Sequence, residues 1–184
     1  WSWSSRWSTS TTSTTTTTEP VVLELVLRDV GLGDAVFGAD AEEVIAYIGS
    51  ILGTPTADSG WADPFSSFGV CPGSEVRGVT WDDLLVLFSD DSPAATGRRH
   101  FFSYTYGPPF GPTIQPEGMF TDRGLTVGDT VDQLITLYPE VILNPSDGIF
   151  DATFFLSENF AGLLTGVADD DTIISITGGI GCGE

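Results

Sequence analysis

The feature of this chain that most constrains its fold is a helix-start pattern that occurs twice. Each copy has a helix-capping side chain, Asp40 or Thr130, followed three positions later by Glu43 or Gln133. In such a capping box the first side chain accepts a hydrogen bond from a free amide of the first turn, and the second reaches back to the amide of the cap residue. The pattern predicts two helices, Ala41–Leu52 and Val131–Leu137.

Apolar and alternating segments around these helices predict β-strands. One strand precedes the first helix at residues 21–28; three follow it at 75–79, 84–88 and 101–106, and four follow the second helix at 141–143, 153–156, 163–167 and 172–177. The predicted fold class is therefore α+β, a tandem repeat of helix plus antiparallel meander with the helices packed on the sheet. The predicted division is a Ser/Thr-rich flexible tail or stalk at 1–20, a first repeat at 21–106, a Pro/Gly-rich linker at 107–118 and a second repeat at 119–184.

Charge limits the partners that such a chain can bind. The 184 residues include 26 acidic residues against 6 basic ones, for a formal net charge of −20. Nucleic acids and acidic membrane surfaces are bound through Lys and Arg counter-charges, so both are poor partners for this chain, and no nucleic-acid partner is expected. No apolar run is long enough to span a bilayer. Cations, a basic protein surface and a second copy of the chain are left open as partners.

The same charge predicts how the fold responds to salt. Like charges confined to one compact body repel each other, and dissolved ions screen that repulsion. We therefore expect the melting temperature to rise across a series of increasing monovalent salt concentrations. A melting temperature that stays flat or falls would contradict this expectation.

The segment at residues 84–88 is apolar on both faces, whereas an antiparallel strand with one wet face should alternate. Its second face must therefore be covered. The long loop at residues 53–73, which carries Trp61, Phe65 and Phe68, is one candidate cover. The other repeat and a partner are the alternatives.

Several of these segments together carry a resemblance. They are the all Ser/Thr run at 8–18, the Gly-Leu pair before each helix, the strand at 81–88 and the Gly-rich ending at 178–183. With the duplicated helix, they resemble uncharacterised secreted proteins and lipoproteins of high-GC actinobacteria. In layout, the two repeats are similar to the secreted β-lactamase-inhibitor protein and, more loosely, to the small lipoprotein domain of the outer-membrane assembly machinery. The resemblance implies an extracellular or cell-envelope location and no known activity, and no functional residue is carried over from it.

An exported chain occupies a compartment where disulfides persist. Cys71 and Cys182 are its two cysteines, and we expect them to form a disulfide.

Catalytic motifs are absent from the sequence. His100 is the single histidine, there is no Gly-x-Ser-x-Gly motif, and a phosphate-binding loop of the Lys-containing kind is impossible without lysine. The acidic clusters at 82–83, 90–91 and 169–171 are either turn residues or calcium ligands, and none has the spacing of an EF-hand. The prediction is that the chain is not an enzyme and has no catalytic residue, metal site or cofactor.

The remaining candidate site is an aromatic segment. Strict alternation places Phe102, Tyr104 and Tyr106 on one face of a strand with His100, close to Phe110 in the linker. This composition suits a partner-binding face and equally suits a core strand. The leading hypothesis is a non-catalytic extracellular or envelope-tethered binding module, with inhibition of a partner included. The alternatives are a structural subunit of an extracellular assembly and a secreted hydrolase.

Overall fold

A computed structural model describes residues 25–183 as thirteen strands and two helices. The helices are α1 (Ala41–Leu52) and α2 (Val131–Leu137). The strands are β1 (Leu27–Arg28), β2 (Gly31–Leu32), β3 (Ala35–Val36), β4 (Ala57–Asp58), β5 (Phe65–Ser66), β6 (Gly69–Val70), β7 (Val76–Trp81), β8 (Leu84–Ser92), β9 (Ala95–Tyr106), β10 (Ile142–Asn144), β11 (Ala152–Ser157), β12 (Phe160–Leu164) and β13 (Ile173–Gly179).

One antiparallel sheet of eight strands dominates the structure, in the order β10-β11-β12-β13-β9-β8-β7-β4. The hairpin β8–β9 contributes the two longest strands, of 9 and 12 residues. Strand β13 pairs with β9 and so joins the early and late parts of the chain in one sheet. Small sheets β1-β2-β3 and β5-β6 lie outside it.

Both predicted helices are confirmed, but the full predicted capping box is present only at α2, and at α1 only the Asp40 half of it is present. In α1 the Asp40 carboxylate accepts hydrogen bonds from the amides of Glu42, at 2.9 Å, and Glu43, at 3.3 Å. In α2 the full capping box is present, with Thr130 Oγ1 accepting from the Gln133 amide and Gln133 Oε1 accepting from the Thr130 amide. These bonds satisfy donors that a helix start leaves without partners.

The predicted fold class, an α+β tandem repeat of helix plus antiparallel meander, is wrong. The described residues are mostly β, with 42% in strands and 12% in helices, and form a β-sandwich-like antiparallel fold. The physical reason is that capping signals mark where a helix begins and not how much of the core it builds. The two helices bury only a few side chains, namely Ala41, Val44 and Ile48 in α1 and Val131 and Leu134 in α2.

The strands β7 to β13 lie close to their predicted positions, although the β8–β9 hairpin extends well beyond residues 88 and 101. Of the strand predicted at 21–28, only Leu27–Arg28 is a strand among the described residues, and residues 21–24 lie outside them. The predicted tail at 1–20 also lies outside the described residues. The division of the chain at 107–118 stays a prediction.

The core is divided between the two faces of the large sheet. The first and larger cluster lies on one face and includes Val86, Phe88, Tyr104 and Tyr106 together with the buried residues of both helices. The second cluster lies on the opposite face and consists of Cys71, Val76, Leu87 and Phe102, with Phe68, Leu85 and Cys182 packed against it.

The second cluster explains the doubly apolar strand. Phe68, from the loop at residues 53–73, packs there with Leu87. The second face of the strand at 84–88 is therefore covered by a segment of the same chain. Gly78 makes the contact possible, because a Cβ at this position would collide with the Phe68 ring. The predicted disulfide between Cys71 and Cys182 is confirmed and lies in this cluster.

Candidate functional site

The predicted aromatic face proves to be core at three of its four positions. Tyr104 and Tyr106 are 0% exposed and Phe102 is 2% exposed, whereas Phe110 is 87% exposed. The predicted alternation is also wrong. A β-bulge adds one residue to β9, since Leu87 pairs with Ser103 while Phe88 pairs with Phe101. Phe102 therefore packs in the second cluster, and Tyr104 and Tyr106 pack in the first.

The hydroxyl groups of both tyrosines are used inside the fold. Tyr104 donates to the carbonyl of Arg28 at 2.9 Å, and Tyr106 donates to the carbonyl of Pro116 at 2.6 Å. Burial raises the pKa of both phenols. These side chains tie the sheet to neighbouring loops and offer no surface to a partner, so only Phe110 stays a prediction as a contact residue.

His100 forms the most enzyme-like arrangement in the described chain. Its Nε2 lies 2.6 Å from Ser92 Oγ, and its Nδ1 lies 2.7 Å from the carbonyl of Arg98. Because a carbonyl only accepts, Nδ1 donates to Arg98, and Nε2 of a neutral ring accepts from the Ser92 hydroxyl. Ser92 also lines a cavity of about 150 Å³ together with Phe37 and Phe102.

The surroundings of this pair do not favour catalysis. His100 is fully buried inside β9, so the charged imidazolium that a base must become would form away from water. A backbone carbonyl, and not a carboxylate, faces Nδ1. Ser92 Oγ also accepts from the Ala94 amide at 3.1 Å, as expected of a serine that caps the tight β8–β9 turn. The geometry supports a structural histidine.

The acidic clusters also have structural partners. The buried Asp83 carboxylate accepts from the amides of Phe110, at 2.9 Å, and Gln115, at 2.7 Å, and so fixes the segment at 107–118. Hydrogen bonds from Ser74, first of all from its hydroxyl, lower the pKa of Asp90. Among residues 25–183, no group of three potential ligands is placed to hold a metal ion.

Most of the arginines in the described chain are held by carboxylates. Arg77 bridges Asp58 and Glu42, and its hydrogen bond lowers the pKa of the Asp58 carboxyl. Arg99 makes a two-pronged contact with Glu75. Because the chain has 26 acidic residues and only 6 basic ones, carboxylates stay in excess after these pairs are formed.

One part of the large sheet stands out because no core cluster includes it. On the face that carries the second cluster, strands β9 to β13 continue past that cluster toward β10. We call this region the open face. Its residues are Thr105, Ile142, Thr153, Phe155, Ala161, Leu163 and Thr177.

The strand register places these side chains on one face. Phe155 pairs with Ala161, Ala161 with Thr177, and Thr177 with Thr105. The apolar members Phe155, Ala161 and Leu163 belong to neither core cluster. Most of the side chains are half-buried, as flat sheet surfaces are, while Phe155 is 38% and Ile142 is 63% exposed.

The open face carries no charged residue, in a chain with 26 acidic residues. Thr105 Oγ1 and Thr177 Oγ1 lie 3.2 Å apart and hydrogen-bond to each other across the strands, which reduces their need for water. The sequence pattern does not by itself single out this face. The sequence signal for the open face is the alternation in β11, β12 and β13, where Thr, Ala or Leu alternates with buried Phe, Gly or Ile.

Comparisons with protein-family models, curated proteins and solved structures return no match for this chain. Neither described helix has the length and apolar run needed to cross a membrane. The Cys71–Cys182 disulfide is compatible with a secreted protein.

Proposed function

We propose that this protein is a non-catalytic, extracellular or envelope-associated binding module that contacts a protein partner through the open face. The observation that carries the proposal is the absence of charge from a sheet face that, among the described residues, belongs to neither core cluster, on a polyanionic chain. Acidic residues keep the rest of the surface hydrated. An uncharged, partly apolar face has the composition of an interface centre, where charged residues are depleted.

The charge around the face indicates the kind of partner. Glu140 and Glu158 lie next to Ile142 and Phe155 at one margin, and Asp169 and Asp170 are exposed in the β12–β13 connection. A neutral centre with acidic margins complements an apolar patch with a basic rim. The partner we propose is therefore a protein with a basic surface, and its association rate should fall as ionic strength rises.

Substitution of the open face tests this proposal. In an Ala161→Arg/Thr177→Arg variant, two bulky cations occupy a cross-strand pair of the open face. When this variant is used for affinity capture from the culture medium or envelope fraction of the secreting cell, the partner should no longer be recovered. The matched control is Ile135→Arg on the exposed side of α2, which should retain the partner. Matching thermal melts establish that both variants are folded.

Two results would count against the proposal. One is capture of the same partner by the open-face variant as efficiently as by the unmodified protein. The other is ester or peptide hydrolysis by the purified protein that disappears in Ser92→Ala, because this result would favour the hydrolase alternative.

A further inference from the structure

Strand β10 is the outer strand of the eight-stranded sheet, and no described strand pairs with its outer edge. Its residue Ile142 is 63% exposed and pairs with Phe155, which is 38% exposed. Ile149 and Phe150, in the connection to β11, are exposed at 83% and 58%. The β10 side of the sheet therefore carries an accumulation of exposed large apolar side chains.

An open edge of this kind can accept another strand. Its free N–H and C=O groups form a template for pairing, and proteins usually block such edges with Lys, Pro or inward charges. Here Pro139 and Pro145 limit the edge to a short stretch, but Ile142 presents an apolar side chain within it. The opposite edge differs, because β4 has two residues and its Asp58 is bound by Arg77.

A cavity beside the β10 edge adds side-chain selectivity. It has a volume of about 300 Å³, and Ile142 and Phe155 line it together with Glu140 and Glu158. We call it the edge groove. Arg123 contacts Glu140 Oε1 at 3.0 Å and so holds that carboxylate in place, while Glu158 is exposed.

The two kinds of lining fit one type of side chain. Arginine and lysine have apolar stems and charged heads, and they place the stem along apolar surface while the head stays near carboxylates or water. In the edge groove, Ile142 and Phe155 would contact the stem, and the exposed Glu158 would attract the head. Glu140, whose Oε1 is paired with Arg123, would contribute through its other oxygen.

We propose that the β10 edge and the edge groove bind an extended segment of the partner by strand addition, with an Arg or Lys side chain of that segment in the groove. Main-chain pairing supplies part of the affinity in this mode, and the side-chain pocket supplies selectivity. The inference rests on the proposed function in that the edge groove is the outer margin of the open face. A second copy of the chain fits poorly, because two-fold pairing of β10 edges would bring the glutamates of both copies together.

The test uses two synthetic peptides and amide NMR of the full chain. The probe is acetyl-Thr-Val-Arg-Val-Thr-amide, and the control peptide has Glu in place of Arg. We expect the Arg peptide to shift the amide signals of residues 142–144 and 155, and the Glu peptide to shift them far less.

Variants then separate the groove from general acidity. Glu140→Gln/Glu158→Gln should weaken binding of the Arg peptide by about 5- to 10-fold, the effect of losing two exposed charge contacts. The control Asp34→Asn/Glu43→Gln removes two charges at a different cavity, beside α1, and should leave binding within about 2-fold. Ile142→Lys places a cation in the edge groove at an exposed edge position, so it should repel the Arg side chain and abolish the signal shifts in a folded protein.

Three results would overturn the inference: no shift at residues 142–144, equal shifts with the Glu peptide, or equal weakening in the two double variants. Concentration-dependent self-association that Ile142→Lys removes would assign the edge to a second copy and would also overturn the inference. The proposed function fails separately, when the Ala161→Arg/Thr177→Arg variant keeps its partner even though the Arg peptide binds the groove.

Discussion

Replacement of Tyr104 by alanine is expected to lower the free energy of unfolding by about 3–5 kcal/mol, the usual result of deleting a buried aromatic ring. The ring is fully buried in the first cluster near Phe37 and Phe101, and its hydroxyl donates to the Arg28 carbonyl. Urea denaturation followed by fluorescence measures the change. If the variant does not fold, Tyr104→Phe, which removes only the hydroxyl, should still lose about 1 kcal/mol.

The matched control for Tyr104 is Phe110→Ala, which removes an exposed aromatic ring and should change stability by no more than about 0.5 kcal/mol. A Tyr104→Ala variant as stable as Phe110→Ala would mean that Tyr104 is a surface residue. That result would return the aromatic strand to consideration as a binding face.

Removal of the disulfide is the second large expected effect. Cys71 and Cys182 are separated by 111 positions in sequence, so the bond restricts most of the unfolded chain. In the chain-entropy model, Cys71→Ser/Cys182→Ser should lower the free energy of unfolding by about 4–5 kcal/mol. The second cluster, which packs around the bond, should lose order first because its cover is no longer tied to the C-terminal segment.

Chemical reduction supplies the control for this prediction. A reducing agent should destabilise the unmodified protein to the level of the double serine variant and should leave that variant unchanged. Equal stability of the oxidised protein and the variant would contradict the entropic role of the bond.

The features that could be predicted from sequence are those that depend on few residues. Asp40 and Thr130 mark helix starts through contacts with amides two or three positions away, so the two helices were found. With only two cysteines, the disulfide needed no choice among pairings. Both results rest on local chemistry or on simple counting.

The features that could not be predicted depend on strand pairing. A single bulge at Phe102 reverses the faces of part of β9, and nothing in the local sequence marks the extra residue. The open face arises because β13 pairs with β9 and brings Thr177 beside Thr105, although more than seventy residues separate them in sequence. The fold class was wrong for the same reason, since the pairing of distant strands and not the two helices builds most of the core.

Site-specific cross-linking tests the central claim most directly, because it reports which surface a partner touches. A photoreactive amino acid placed at position 161, in the centre of the open face, should cross-link to a protein with a basic surface in the culture medium or envelope fraction. The same amino acid at position 135, on the exposed side of α2, should give no such product. Cross-links from position 135 with none from position 161 would contradict binding through the open face.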